Sequence, residues 1–299
     1  MTDVSNELVV KSNKLIEASY RLSITEQQLV LFAICAARKT STGLVEDTMV
    51  FIEAKDFAEQ FGLAQNNVYA LLKGASDALQ KREFELPAID PTDGKPSIIK
   101  VGWLLRQMYR PGSGRVGITF HPDIAPYISR LEEKFTAYRL EHVSKMSSVY
   151  AIRMYELLVQ FVGLSTRTFE LETLKTILGV ADEYEVISDL KKRVLDVAVT
   201  QINKHTDLEI AYVQQKTGRK VTHLIFVIGS QKKATISKPA KPKKLVQLGL
   251  TNVEPAPKSN DPAVLAEREK ALAALSGRRK KTKEYDPDLD VMTLTLDDL

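Results

Sequence analysis

Residues 172–195 read ETLKTILGVADEYEVISDLKKRVL, and this stretch decides how the chain is expected to fold. Glu172–Leu178 places apolar residues at helical spacing and is closed by Gly179, a residue type that accepts the left-handed backbone of a helix end. A longer helix is expected over Tyr184–Lys204, carrying the consecutive bases Lys191, Lys192 and Arg193. Ahead of this pair lie an apolar helical stretch, Ser147–Val162, and a short β-like piece, Arg167–Leu171. Behind it come two strand-like runs, Leu208–Gln214 and Val221–Ile228, joined by Gln215–Lys220, a segment with a turn glycine and the bases Lys216, Arg219 and Lys220. Helix, helix–turn–helix, hairpin is a winged-helix order.

The same order of elements occurs earlier in the chain. Ile24–Lys39 is a helical stretch preceded by Ser23, with Glu26 at capping-box distance. Met49–Ile52 is β-like, Ala54–Phe61 helical up to Gly62, and a second helix is expected from about Gln65 to Lys81. Strand-like runs follow at Arg82–Leu86, Ser97–Tyr109 and Arg115–Phe120, punctuated by Pro91–Gly94 and Pro111–Gly114. The two halves repeat an order, not a sequence. A connecting helix is expected over Ile124–Leu131, between Phe120 and Ser147. The expected fold class is α+β: an N-terminal winged helix over 1–122, a second over 123–230, and a largely disordered tail over 231–299.

Composition shows where the charge lies. The 299 residues carry 42 bases and 38 acids; 14 of those bases and 10 of those acids lie in 231–299, so residues 1–230 balance at 28 each. The tail is basic up to Lys283 and purely acidic beyond it, and reads as a flexible linker with an acidic end. A neutral body can bind nucleic acid only through local basic faces. No apolar run reaches the roughly eighteen residues of a membrane span, the opening residues show no secretory pattern, and the single cysteine, Cys35, has no partner for an internal disulfide. These features point to a cytoplasmic protein.

The second helix of a helix–turn–helix enters the DNA major groove. In the second domain this singles out Lys191, Lys192 and Arg193, with Ser188 near the helix start. A charge run is most often a plain solvated face, but the matching position and the basic wing tip (Lys216, Arg219, Lys220) favour DNA. In the first domain the equivalent positions are Gln65, Asn66, Asn67, Tyr69 and Lys73. Amides there read adenine or cap a helix equally well. Leucines 8, 15, 22 and 29 fall at heptad spacing, yet the cap at Ser23 breaks any continuous helix and favours core packing. Gly112–Gly117 matches a dinucleotide-binding glycine pattern but leads into a strand, as a wing turn would. The four histidines show no metal-ligand spacing, and no phosphate loop is present, so neither an enzyme nor a cofactor is expected.

Several spaced segments together resemble the iteron-binding plasmid replication initiators. Residues 10–27 resemble the family's opening motif, Asn-x-Leu-Ile followed by Leu-Ser/Thr and a glutamate. Phe135–Tyr138 and Ser148–Leu158 resemble the junction and first helix of its second domain; Leu190–Leu195 with Ile202 and Asn203 resembles its recognition-helix region. The resemblance covers about residues 8–230. It implies tandem winged helices on double-stranded origin DNA, monomers that initiate replication, and homodimers, joined through the first domain, that repress the protein's own gene. Implied host partners are a replicative helicase and the chromosomal initiator. Gln247–Leu250 is similar to short peptides that dock on the sliding clamp, although four-residue matches are common by chance. A winged-helix transcriptional regulator and a nuclease or primase are the rival readings.

Overall fold

Ser23 opens the first long helix as its sequence suggests: its Oγ accepts the Glu26 N–H (3.3 Å) while the Glu26 carboxylate accepts the Ser23 N–H (2.8 Å). The computed structural model describes residues 7–39, 48–128 and 134–230. In chain order its elements are β1 (Leu8–Ser12), α1 (Asn13–Glu17), α2 (Ile24–Lys39), β2 (Val50–Glu53), α3 (Ala54–Phe61) and α4 (Val68–Leu79), the last entered through a 3-10 turn at Gln65–Asn67. Next come β3 (Glu83–Ile89), β4 (Pro96–Gly102), β5 (Leu104–Tyr109), β6 (Arg115–Phe120), α5 (Ala125–Ile128), β7 (Phe135–Arg139), α6 (Glu141–Ser144) and α7 (Val149–Val159). The last group is β8 (Thr166–Glu170), α8 (Leu171–Ile177), α9 (Ile187–Leu190), a π-helical turn at Lys191–Leu195, α10 (Asp196–His205), β9 (Leu208–Thr217) and β10 (Lys220–Ser230).

Two three-stranded antiparallel sheets share one design. In each, the strand that leads into a helix–turn–helix pairs with the second strand of the following wing: β2 with β6, and β8 with β10. The first helix of each helix–turn–helix ends on a left-handed glycine, Gly62 (φ 63°) or Gly179 (φ 70°). The closing bonds match as well: Gly62 N–H to Glu59 C=O with Leu63 N–H to Ala58 C=O, and Gly179 N–H to Thr176 C=O with Val180 N–H to Lys175 C=O. These are two winged-helix domains in tandem. Helix α2 is buried on nearly all sides; its Phe32 meets Phe57 at 5.7 Å, and Phe57 meets Phe61 at 4.8 Å. Cys35 lies within it, and burial first, then Glu7, push its thiol up to about 12, leaving it unreactive.

Two features depart from expectation, and a third is described only in part. The run Ser97–Tyr109 is two strands in different sheets: β4 pairs with β3, β5 with β6, and the chain turns the corner at the fully buried Trp103. Backbone bonds hold that corner, Trp103 N–H to Arg82 C=O (3.2 Å) and His121 N–H to Trp103 C=O (3.1 Å). The long helix begins at Ile187 and not at Tyr184, because Tyr184 is itself left-handed (φ 55°). Only Ala125–Ile128 of the expected connecting helix lies in a described helix, since 129–133 fall outside the described residues. The heptad leucines behave as core residues at 15, 22 and 29, while Leu8 sits in a strand.

The strands β1 and β7, neither anticipated, pair in register from Leu8↔Arg139 to Ser12↔Phe135 and so tie the N-terminus to the segment after the first wing. Their pairing carries Lys11 into the interior. Its ammonium lies 2.9 and 3.1 Å from the two carboxylate oxygens of Glu156 and 3.1 Å from the Tyr20 hydroxyl; Lys11 and Glu156 are wholly buried. Tyr138 donates to Glu156 at 2.6 Å, and the Arg153 guanidinium reaches the same carboxylate at 3.5 Å. Burial, then the Glu156 charge, hold the Tyr138 phenol well above its usual pKa, so it remains a donor. Removing one member of a buried ion pair strands the other. Glu156→Ala is therefore expected to lose about 3–5 kcal/mol in urea denaturation; a loss below about 1 kcal/mol would show that the network is not holding these elements together.

Candidate nucleic-acid interface

In the second domain Leu190, Val194, Leu195, Ala198, Val199 and Ile202 face the core, which leaves Ser188, Lys192 and Arg193 exposed and Lys191 half-buried. The three bases sit on the π-helical turn, where the Asp196 N–H bonds back to the Lys191 carbonyl. One extra residue in that turn widens the helix at its most basic point, as π-bulges commonly do at functional positions. Arg219 and Lys220 are exposed at the wing tip, where Gly218 takes φ 64°, while Lys216 sits half-buried in β9.

Helix and wing are fastened to each other. Asn203 on α10 exchanges two hydrogen bonds with the Ile210 backbone of β9, at 2.7 and 2.9 Å. Tyr212 of β9 donates to Asp196 at 2.7 Å. Burial raises the Asp196 carboxyl above its ordinary pKa of 3.8, against the lowering effects of the Tyr212 bond and of Lys191. This acid therefore binds its proton more readily folded than unfolded, and stability falls as pH rises from 3.8 through the higher folded value.

The first domain uses its residues differently. Gln65, Asn66 and Asn67 are exposed on the 3-10 turn entering α4. Tyr69 and Lys73, in contrast, turn toward the wing. The Tyr69 hydroxyl donates to the Arg110 carbonyl at 3.1 Å, and the Lys73 ammonium lies 2.6 Å from Asp77 and 4.3 Å from the Tyr109 ring centroid. Asp77 also accepts from Gln107 of β5 at 2.8 Å, and Ser76 bonds the same Gln107. The Lys73–Asp77 bond is the main cause both of the raised Lys73 pKa and of the lowered Asp77 pKa.

Arg110 and Arg115 are exposed and flank the Pro111–Gly114 wing turn, with glycines 112 and 114 at φ 75° and 70°. Sequence reasoning named that turn and passed over its arginines, although bases flank the Gly218 turn in the same way. Arg115 stacks 4.7 Å from the ring of the exposed Phe51. Among the described residues no group of three or more His, Cys, Asp or Glu is placed to hold a metal, and no helix is long and apolar enough to cross a membrane. The basic-then-acidic tail and Gln247–Leu250 lie outside the described residues.

Comparison with known proteins bears on this pair of heads. Residues 8–159 match the family described as Initiator Replication protein, WH1, and residues 170–228 match Initiator Rep protein, WH2. The chain belongs to this replication-initiator family. An Escherichia coli replication initiation protein is 26% identical over 233 residues, which are 75% of this chain and 70% of that one. An uncharacterized 27.6 kDa protein of the same organism is 24% identical over 227 residues, 73% of this chain and 93% of that one. Among solved structures, the Pi initiator protein crystallised with iteron DNA has the same fold, with a TM-score of 0.63 at 21% identity, over 77% of this chain and 99% of that one.

One consequence can be measured at Asp196. Asp196→Asn retains an acceptor for Tyr212 but removes the charge beside Lys191. Fluorescence anisotropy on duplex DNA at pH 7 is expected to show tighter binding, and thermal melting no loss of stability. Weaker binding would mean that the Asp196 charge supports the interface rather than competing with it.

Proposed function

We propose that this initiator binds directly repeated sequences at a plasmid replication origin and opens that origin through contacts and DNA deformation, without breaking or making covalent bonds itself. The supporting observation is the duplication: one chain carries two helix–turn–helix units, each with an exposed polar or basic helix start and a wing fastened beside it. Each head enters one of two successive major grooves, so that one repeat occupies roughly 20 base pairs. The crystallised relative bound to iteron DNA lends the reading its substrate.

Within it, Lys191, Lys192, Arg193 and Ser188 face the groove, and Lys216, Arg219 and Lys220 meet phosphates from the wing. Gln65, Asn66 and Asn67 contribute base contacts from the first domain, and Tyr69 and Lys73 add to the same surface beside its wing. The heads correspond to residues 1–122 and 123–230, with β7 and α7 of the second span packing back on the first. A homodimer forms through the first domain and represses the gene. Ile89 and Ile98, both 65% exposed on one face of the β3–β4 hairpin, offer apolar surface for it. The protein works in the cytoplasm with a replicative helicase and the chromosomal initiator.

Replacing Lys191, Lys192 and Arg193 together by alanine removes contacts of about 1–3 kcal/mol each, so DNase I protection of DNA flanking the gene is expected to disappear while the fold persists. Wild-type protection is expected over tandem direct repeats. A lone inverted repeat, or a triple variant that protects like wild type, contradicts the proposal.

A further inference from the structure

The four residues Ala18–Arg21 touch both reading heads at once. On one side, the Tyr20 ring is inserted in the first-domain core, 5.0 Å from Trp103 and 6.3 Å from Phe84, and Ser19 forms a bridge with Glu85 of β3. On the other side, Ser19, Tyr20 and Arg21 meet the end of α8 and the turn of the second helix–turn–helix. Ser19 Oγ donates to the Thr176 carbonyl at 2.7 Å, and Arg21 pairs with Glu183. At Gly179 the approach is so close that a Cβ would stand 3.1 Å from the Tyr20 carbonyl oxygen and from Arg21 Cβ.

Arg153, only 2% exposed, completes the junction from α7. Its Nη2 donates both to the Ala18 carbonyl (2.8 Å) and to the Ile177 carbonyl (3.1 Å), its Nη1 bonds the Tyr20 hydroxyl, and its guanidinium stacks 3.8 Å from the Tyr20 ring. One planar cation thus binds a carbonyl from each side through Nη2 while it stacks on the Tyr20 ring and bonds the Tyr20 hydroxyl through Nη1, a combination that lysine, with no planar fork, does not supply. The helix it holds, α8, is the first of the second helix–turn–helix, so a shift here moves the whole second reading head.

We propose that Arg153 and the segment Ala18–Arg21 are the ruler that sets separation and phase between the two heads, and so make the chain selective for the spacing between the two half-sites of each repeat. The inference rests on the two-groove reading above. Arg153 is a positioning residue in it and touches no DNA. Because each inserted base pair rotates the far half-site by about 34°, a rigid junction penalises insertions and a loosened one tolerates them.

The test uses the full chain and a duplex that wild-type protein selects from random-sequence DNA, re-made with one or two base pairs inserted between its half-sites. Wild type is expected to lose roughly tenfold or more in affinity per inserted base pair, comparable to losing a base contact. Arg153→Met leaves Lys11 and Glu156 to neutralise each other, and its penalty per insertion is expected to fall to about threefold or less. Ser19→Ala combined with Arg21→Ala, which removes surface partners of α8 and its turn, is expected to flatten the profile in the same direction and decides the matter alone if Arg153→Met does not fold. Variants with a spacing profile as steep as wild type overturn the ruler and leave two-groove binding standing. A wild-type chain that selects no sequence, or is indifferent to insertions, overturns both.

Discussion

The elements that join the two winged helices converge on one buried charge pair, Lys11 with Glu156. Desolvating two charges costs several kcal/mol each unless the site is fully partnered, and here the partners come from four places in the chain. Strand β1 brings Lys11, the segment before α2 brings Tyr20, β7 brings Tyr138, and α7 brings Glu156 with Arg153. Satisfying the pair therefore requires all four to be in place. The pairing of β1 with β7, the docking of α7 and the junction between the two winged helices are thereby made interdependent. An apolar core would have tolerated sliding between these elements; a charge that needs these particular acceptors does not.

On that frame the two heads share a topology and divide their labour differently. In the second, the bases point outward from a widened turn and the wing is tied to the far half of the helix through Asn203 and Tyr212. In the first, Tyr69 and Lys73 are occupied in holding the wing, so the exposed amides at Gln65–Asn67 and the wing arginines Arg110 and Arg115 form its outward face. Acids sit close to the bases they restrain, Asp77 beside Lys73 and Asp196 beside Lys191. This arrangement agrees with a body of 28 bases and 28 acids in which binding depends on local faces rather than on net charge.

What was legible in the sequence was local. The capping box at Ser23 and Glu26, the glycines that end α3 and α8, and the wing turns at Gly112–Gly114 and Gly218 each declare themselves within a few residues. Two such series in the same order were enough to read tandem winged helices. What escaped depends on partners far along the chain. The strands β1 and β7 are five residues each and pair across more than a hundred positions, the corner at Trp103 lies inside an unbroken β-like run, and nothing near Lys11 marks it as buried. For the candidate site, the sequence located the helices and wing turns that carry the candidate residues but not the orientation of each side chain. Tyr69 and Lys73 turn to the wing because Arg110, Tyr109 and Asp77 are there to receive them, and the π-helical turn has no periodicity signal of its own.

The central claim is that two heads on one chain read two successive major grooves. Methylation interference at guanine N7 reports major-groove contact directly. On a single repeat bound by the full chain, it is expected to show two clusters of interfering positions about one helical turn, 10–10.5 base pairs, apart on the same face; a single cluster, or none, would contradict the account.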